Sequence, residues 1–195
     1  LITEVIENAK RAPSSMNTQP WHFHVLTGEP LERVRKGNTE RMMQGAKMDR
    51  EIRMNHGYEG PHRDRQVEIA VQLFEAMGIA RDDKEGRMRQ FAHNGDFFGA
   101  PAAIFCYVDR QMGAPQWSDL GMFLQTFMLL AVEQGLDTCA QEYWSVRHGA
   151  VTSFVGAPDN EMLFCGLAVG YADLSAPVNS LRSHRMPVEQ WATWV

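Results

Sequence analysis

RAPSSMNTQPWHF, Arg11 to Phe23, sets Pro13, Ser14, Ser15, Asn17, Gln19, Pro20 and Trp21 within one short span. The stretch is too polar for a core and too particular in its residues for a linker. Two prolines stiffen the backbone, so short hydroxyls and amides are presented with little conformational freedom left to lose. A capped turn between helix and strand would explain the prolines and serines, but not the whole string. Its flanks agree with that placement. Upstream, "ITEVIENAKR" (2–11) puts Ile2, Val5, Ile6 and Ala9 on one helical face, and Pro13 stops the helix. Downstream, "WHFHVLT" (21–27) alternates and is aromatic and β-branched, which predicts a strand.

Working outward, Pro30 opens a short helix expected to end before Gly37. Residues 38–65 are charged and Met-rich, with "HGYEGPH" in their midst, and read as an excursion from the core. "QVEIAVQLFEAM" (66–77) is an amphipathic helix ended by Gly78; "PAAIFCYV" (101–108) and "EMLFCGLAVGY" (161–171) are buried strands. Strands separated by long helical stretches exclude a chain of simple hairpins and predict one α+β or α/β layered domain over 1–195.

The helix around "SDLGMFLQTFMLLAVEQ" (118–134) carries no charge from Leu120 to Val132, and its apolar residues point all round. It is too short, and too interrupted by Gln125 and Thr126, to span a bilayer. It belongs either to the centre of a core or to a subunit interface.

Composition narrows the function classes. Of 195 residues, 44% are hydrophobic and 22% charged, ordinary globular usage. A formal charge of −5 gives no basic footprint, so nucleic acid is not the expected partner. Cys106, Cys139 and Cys165 are odd in number and widely spaced, which fits a reducing cytoplasm better than a disulfide framework or zinc site. The sequence opens at Leu1 inside a helical pattern with no initiator Met or signal peptide, and a preceding segment is expected.

The common chemical motifs are absent: no G-x-G-x-x-G, P-loop, G-x-S-x-G or H-E-x-x-H. His22 and His24 share one strand face and could ligate a metal, but without a third ligand in view they read as two exposed strand residues. Cys139, in "GLDTCAQEY", has no His or Lys in view to activate it and reads as small-residue packing in a sharp turn. "RSHR" (182–185) is a basic tail whose arginines could also clamp a phosphate.

"APSSMNTQPWHF", "FFGAP", "DLGMFLQTFMLLAVEQGLDTC" and "PVNSLRSHRMPVEQW" stand in the order and rough spacing of the nitroreductase family of flavoproteins, which this chain resembles over all but its 38–90 excursion. The resemblance implies an α+β fold with a central, mixed but mainly antiparallel sheet flanked by helices, in an intertwined homodimer. It implies FMN bound between two subunits, with the Pro-Ser-Ser-x-Asn segment of one lining the flavin held mainly by the other. On that resemblance, Pro13 fixes the backbone while Ser14, Ser15 and Asn17 hydrogen-bond the ring edge and ribityl chain. Gln19 and Trp21 are expected to brace the loop. Ala140, Gln141, Glu142 and Tyr143 match the family turn whose backbone N–H groups face flavin N5 and O4. Tyr143 departs from the small residue common there, which would alter access to the ring. Arg185 matches the phosphate-binding arginine, assisted by Arg182, in a tail (176–195) that would extend to the partner subunit. An Arg-Arg-Ser-like arm usual at the start of such proteins is not in the sequence.

The implied activity is that of an FMN-dependent NAD(P)H oxidoreductase. Hydride would pass through the flavin in a ping-pong cycle to flat, electron-poor small molecules such as nitroaromatics or quinones, with no catalytic side chain required. Residues 38–98, including Tyr58, Phe74, Phe91, Phe97 and Phe98, would roof the pocket as a variable lid, although such aromatics are just as often core. Reductive dehalogenation, flavin fragmentation or dehydrogenation of another small molecule remain alternatives on the same fold, as does a flavin-binding dimer without turnover. No metal, nucleic acid or membrane is implied.

Overall fold

The computed structural model describes residues 1–49, 51–52 and 57–195. Part of the Met-rich excursion, at 50 and 53–56, lies outside the described residues. The helices are α1 (Ile2–Ala9), α2 (Gly28–Met43), α3 (Gly60–Ala76), α4 (Lys84–Ala92), α5 (Ala114–Glu133), α6 (His148–Val155) and α7 (Pro177–Ser180). The strands are β1 (Trp21–Thr27), β2 (Ala102–Asp109), β3 (Asp137–Gln141) and β4 (Glu161–Gly170). The chain divides into two compact units. One is Leu1–Met54 with Arg89–Ala172; the other is Asn55–Met88 with Asp173–Val195.

The first unit is built on one four-stranded sheet in the order β1-β2-β4-β3, antiparallel at every pairing between these strands. Its two faces follow the two-residue period of the strands. On one face Ile104, Leu167 and Val169 pack with Val5 and Ala9 of α1 and with Phe123, Phe127 and Ala131 of α5. On the other, Ala103, Phe105, Tyr107 and Ala168 pack with Leu31 and Val34 of α2, Val151 of α6, Phe97 and Trp144. Helices on both sides explain why β2 reads as an unbroken apolar run instead of an alternation.

One irregularity changes which residues face where. The β2–β4 register shifts between Cys106, opposite Cys165, and Tyr107, opposite Leu163. This bulge inserts one residue and reverses the alternation of β4. Leu163 therefore joins the Tyr107 side of the core, while Cys165, two residues on, joins the α5 side with Leu120 and Leu124.

Four elements differ from the sequence reading. Helix α2 runs through Gly37 to Met43, because Leu31, Val34 and Asn38 form a buried face that outweighs the glycine's weak propensity. The "GLDTCAQEY" stretch is not a sharp turn throughout. Gly135, at φ +75°, ends α5, and Asp137–Gln141 then pairs with Gly166–Gly170 as edge strand β3. Cys139 is accordingly exposed on an edge strand instead of packed. Helices α4 and α6 carry too weak an apolar period to stand out in the sequence.

The second unit holds α3, α7 and the short 3-10 turn Val188–Gln190. Within it lies an open cleft of about 910 Å³, lined by Tyr58, His62, Arg65, Gln72, Arg185 and Trp191 among others. The indole N–H of Trp191 donates to the Met186 carbonyl at 3.2 Å, and the Arg87 guanidinium lies 4.4 Å from the Phe74 ring centre.

Candidate functional site

Three groups of residues were expected to bind a ligand, and the fold places each differently. The loop after α1 is held by its own short polar groups. The Ser14 hydroxyl accepts the Gln19 N–H at 3.0 Å, the Ser14 carbonyl accepts the Asn17 N–H at 3.0 Å, and the Gln19 side-chain amide donates to the Asn17 carbonyl at 3.3 Å. The Ser15 N–H donates at 3.0 Å to the carboxylate of Asp119 on α5. These bonds keep Met16, Asn17 and Gln19 at φ of 51°, 60° and 46°, a left-handed backbone that L-residues adopt at a cost. The result is a rigid loop whose bonded groups are mostly backbone, with Ser15 and Asn17 exposed at its surface. Gln19 braces it through both bonds just described. Trp21 is half-buried with its ring 4.8 Å from that of Phe123, so it anchors the loop's exit.

The second group lies where β3 ends. Gln141 is buried, and its amide donates to the Asn94 carbonyl at 3.0 Å and side-chain oxygen at 3.2 Å. Its own Oε1 is buried with no hydrogen-bond partner. A buried acceptor left without a donor costs about 1–3 kcal/mol, so such an atom marks a place where a donor belongs. Glu142 and Tyr143 open a 3-10 helix, Glu142–Val146, whose first N–H groups have no partner inside it. The Tyr143 side chain does not reach outward from this turn. Its ring is buried edge-on to Trp144, at 5.2 Å, and its hydroxyl accepts the Asn38 amide at 3.0 Å. Its size is therefore absorbed by the core, while Ala140 and Glu142 are the exposed side chains.

The third group, Arg182 and Arg185, belongs to the second unit. Both are exposed. Arg185 donates to the Ser183 hydroxyl at 2.6 Å and the His184 carbonyl at 3.1 Å; Arg182 donates to the carbonyls of Asn179 and Leu181, both at 3.0 Å. Among the described residues neither is paired with a carboxylate. Of the aromatics expected to roof a pocket, Phe97 is fully buried and stacks on Trp144 at 4.5 Å, so it is core. Tyr58, Phe91 and Phe98 are exposed to 47%, 40% and 44%.

The strand order keeps the first two groups apart within one chain. The loop enters β1 and the turn leaves β3, the two opposite edges of the sheet. Three interstrand steps of about 4.8 Å separate those edges, roughly 14 Å. Asp119, Asn38 and Asn94 support the site and were not singled out in the sequence. Asp119 had a signal: it is the one charge in the first four turns of α5, ahead of an uncharged run from Leu120 to Val132. Asn38 and Asn94 had none, since their partners are 105 and 47 residues away.

A helix-flanked antiparallel sheet, with a stiff hydroxyl-and-amide loop at one edge and a turn with unpaired N–H groups at the other, defines an α+β protein with its candidate ligand groups at the sheet edges. The chain belongs to the nitroreductase family, whose family profile matches residues 1–171. It is 34% identical over 198 residues to a nitrobenzene nitroreductase of Ectopseudomonas oleovorans, covering 100% of this chain and 87% of that one. Its fold is similar to the crystal structure of the FMN and NADPH-dependent nitroreductase NfnB of Sphigopyxis sp. strain HMH. The TM-score is 0.95 at 40% identity, covering 100% of this chain and 88% of that one. It is also similar, at TM-score 0.94 and 28% identity, to the FMN-dependent NfnB of Mycobacterium smegmatis in complex with NADPH, covering 100% of this chain and 87% of that one. No helix among the described residues is long and apolar enough to cross a membrane.

Proposed function

We propose that this chain is an FMN-dependent NAD(P)H oxidoreductase that reduces nitroaromatic-type small molecules. The observation that carries the reading is the pairing of the rigid Ser14–Asn17 loop with the orphaned Gln141 Oε1, on a fold whose relatives bear those activities in their names. The residues suit the group. The flavin's pyrimidine edge carries an N–H donor and carbonyl acceptors, and its ribityl chain carries hydroxyls, which short hydroxyls, amides and a spare buried acceptor can satisfy. When bound, FMN would supply the redox chemistry between NAD(P)H and the acceptor, held by these residues.

The chain's own residues then have a limited task. Ser14, Ser15 and Asn17, on a backbone fixed by Pro13, Gln19 and Asp119, orient the flavin with little entropy to lose. Backbone N–H groups of the turn spanning Ala140, Gln141, Glu142 and Tyr143 stabilise negative charge, an electrostatic preorganisation that needs no titrating side chain. Arg185, helped by Arg182, neutralises the phosphate as a charge-assisted donor. Because loop and turn lie at opposite sheet edges, the site is completed by the loop of a second copy, and the protein works as a homodimer. Residues 1–195 act as one domain, with 38–98 as the variable lid and 176–195 reaching the partner. NAD(P)H supply sets the reaction in the cytoplasm.

Anaerobic titration of the FMN-loaded protein with NADH or NADPH tests this. The yellow absorbance should bleach and return when a nitroaromatic compound is added. Protein that gains no flavin spectrum when mixed with FMN would overturn the reading.

A further inference from the structure

We propose that His22, His24 and Glu161 form a binding site for a divalent transition-metal ion of the zinc type, on the sheet face opposite α5. Ligand atoms of these three side chains all lie within 4.8 Å of one another. The two imidazoles come from alternate residues of β1, with ring centres 4.9 Å apart. The carboxylate comes from the first residue of β4, on the far side of β2.

The β2–β4 bulge is what makes the group possible. With uninterrupted alternation Glu161 would share the face of Cys165, towards α5. The inserted residue gives it instead the face of Leu163 and Tyr107, which is also the face of the two histidines. His24 lies edge-on to the Tyr107 ring at 5.2 Å, so its imidazole is seated against the core.

An ordinary ion pair explains only half of the cluster. His22 Nδ1 and Glu161 Oε1 meet at 2.5 Å. His24 Nε2 and Glu161 Oε2 are each buried from solvent with no hydrogen-bond partner. Two unsatisfied buried atoms, a nitrogen and a carboxylate oxygen on neighbouring ligand residues, are what a cation would satisfy at once.

The donor set selects the ion. Imidazole nitrogens suit zinc, copper or nickel, whereas magnesium and calcium want oxygen alone. Zinc–nitrogen and zinc–oxygen bonds of about 2.0–2.2 Å place tetrahedral ligands about 3.4 Å apart, so rotation about the side-chain torsions closes the present spacing. Water would take the fourth position. Bound there, the ion ties edge strand β1 to β4 across β2.

Calorimetric titration of the tag-free, chelator-treated FMN-loaded protein with Zn²⁺ tests the site, with Co²⁺ as an optical probe. One Zn²⁺ per chain is expected, with a tetrahedral Co²⁺ spectrum and a melting temperature that rises with Zn²⁺. His24→Ala and Glu161→Gln should each weaken Zn²⁺ binding at least tenfold and abolish the rise, while His184→Ala leaves both intact. Glu161→Gln keeps the side-chain shape, so its folding can be verified separately by circular dichroism. Absence of binding by the wild type, or binding unchanged in folded Glu161→Gln, would overturn the proposal.

Discussion

The Ser15 N–H and the Asp119 carboxylate, 104 residues apart in sequence, meet at 3.0 Å and join the Ser14–Gln19 loop to the N-terminal half of α5. Asp119 is only 3% exposed, so this bond is made by a charged acceptor largely removed from water. Asp119→Ala should cost about 1–3 kcal/mol of stability, and weaken FMN binding as the loop relaxes from its left-handed backbone. Asp119→Asn keeps an acceptor oxygen and should recover most of both. Thermal melts and flavin-fluorescence titrations check this. Unchanged FMN affinity in Asp119→Ala would mean that the loop needs no such anchor.

Gly166 sits beneath Trp144, and a Cβ added there would come within 2.3 Å of the indole Cδ1. Trp144 cannot retreat, because Phe97 stacks on it at 4.5 Å and Phe105 meets it edge-on at 5.3 Å. Gly166→Ala should therefore destabilise by about 1–3 kcal/mol, the scale of overpacking. It should also reduce FMN affinity, since Trp144 directly follows the Glu142–Tyr143 turn. Urea denaturation and FMN titration of the same variant report the two effects separately.

What the sequence revealed and what it hid have one physical cause. Strand β1 was legible to the residue, because seven consecutive aromatic, β-branched and alternating side chains state their own conformation. Strand β3 was not, since Asp-Thr-Cys-Ala-Gln has little intrinsic preference and becomes a strand only by pairing with β4. The loop residues Ser14, Ser15 and Asn17 stood out by composition alone. Their anchor on Asp119, the inward course of Tyr143 and the approach of Glu161 to His22 are contacts over 104, 105 and 139 residues. The bulge that delivers Glu161 has no local signature in "EMLFCG".

Cys106 and Cys165 face each other across β2 and β4, both buried. Desolvation first, then the facing thiol, pushes the Cys106 thiol well above its ordinary range, leaving almost no thiolate at neutral pH. Neither should react with a soluble aromatic disulfide in the native protein, and both should react once denaturant is added. Thiol counting by absorbance before and after unfolding checks this. Rapid native-state labelling of Cys106, located by peptide mass, would show that the sheet opens here.

Arg185 is exposed, bonded only within its own turn, and without a carboxylate partner among the described residues, so its charge is available to a phosphate. Arg185→Ala should weaken FMN binding by about 1.5–3 kcal/mol, the scale of a hydrogen bond to a charged group. Riboflavin, which lacks the phosphate, should bind wild type and variant alike. Equal losses for both ligands would assign Arg185 a structural role instead.

Helix α5 separates two jobs that its uncharged run from Leu120 to Val132 left merged. Leu120, Phe123, Leu124, Phe127 and Ala131 are buried in the core, while Met122, Leu129 and Val132 are exposed to 39%, 61% and 63%. The second set recurs at helical spacing and forms an apolar stripe in water, the kind of surface that a second copy would cover. Phe127→Asp should unfold the chain, because it buries a carboxylate among apolar side chains. Leu129→Asp should leave the monomer folded and shift the dimer towards monomer. If the loop of one copy completes the site of the other, FMN bridges the two chains, and ligand binding and dimerisation are one linked equilibrium. Leu129→Asp should then lose FMN affinity in proportion to its loss of dimer, and saturating FMN should restore dimer at high protein concentration. Sedimentation with and without FMN measures both quantities. A folded Leu129→Asp monomer that binds FMN as tightly as the wild type would show that each chain holds the flavin alone.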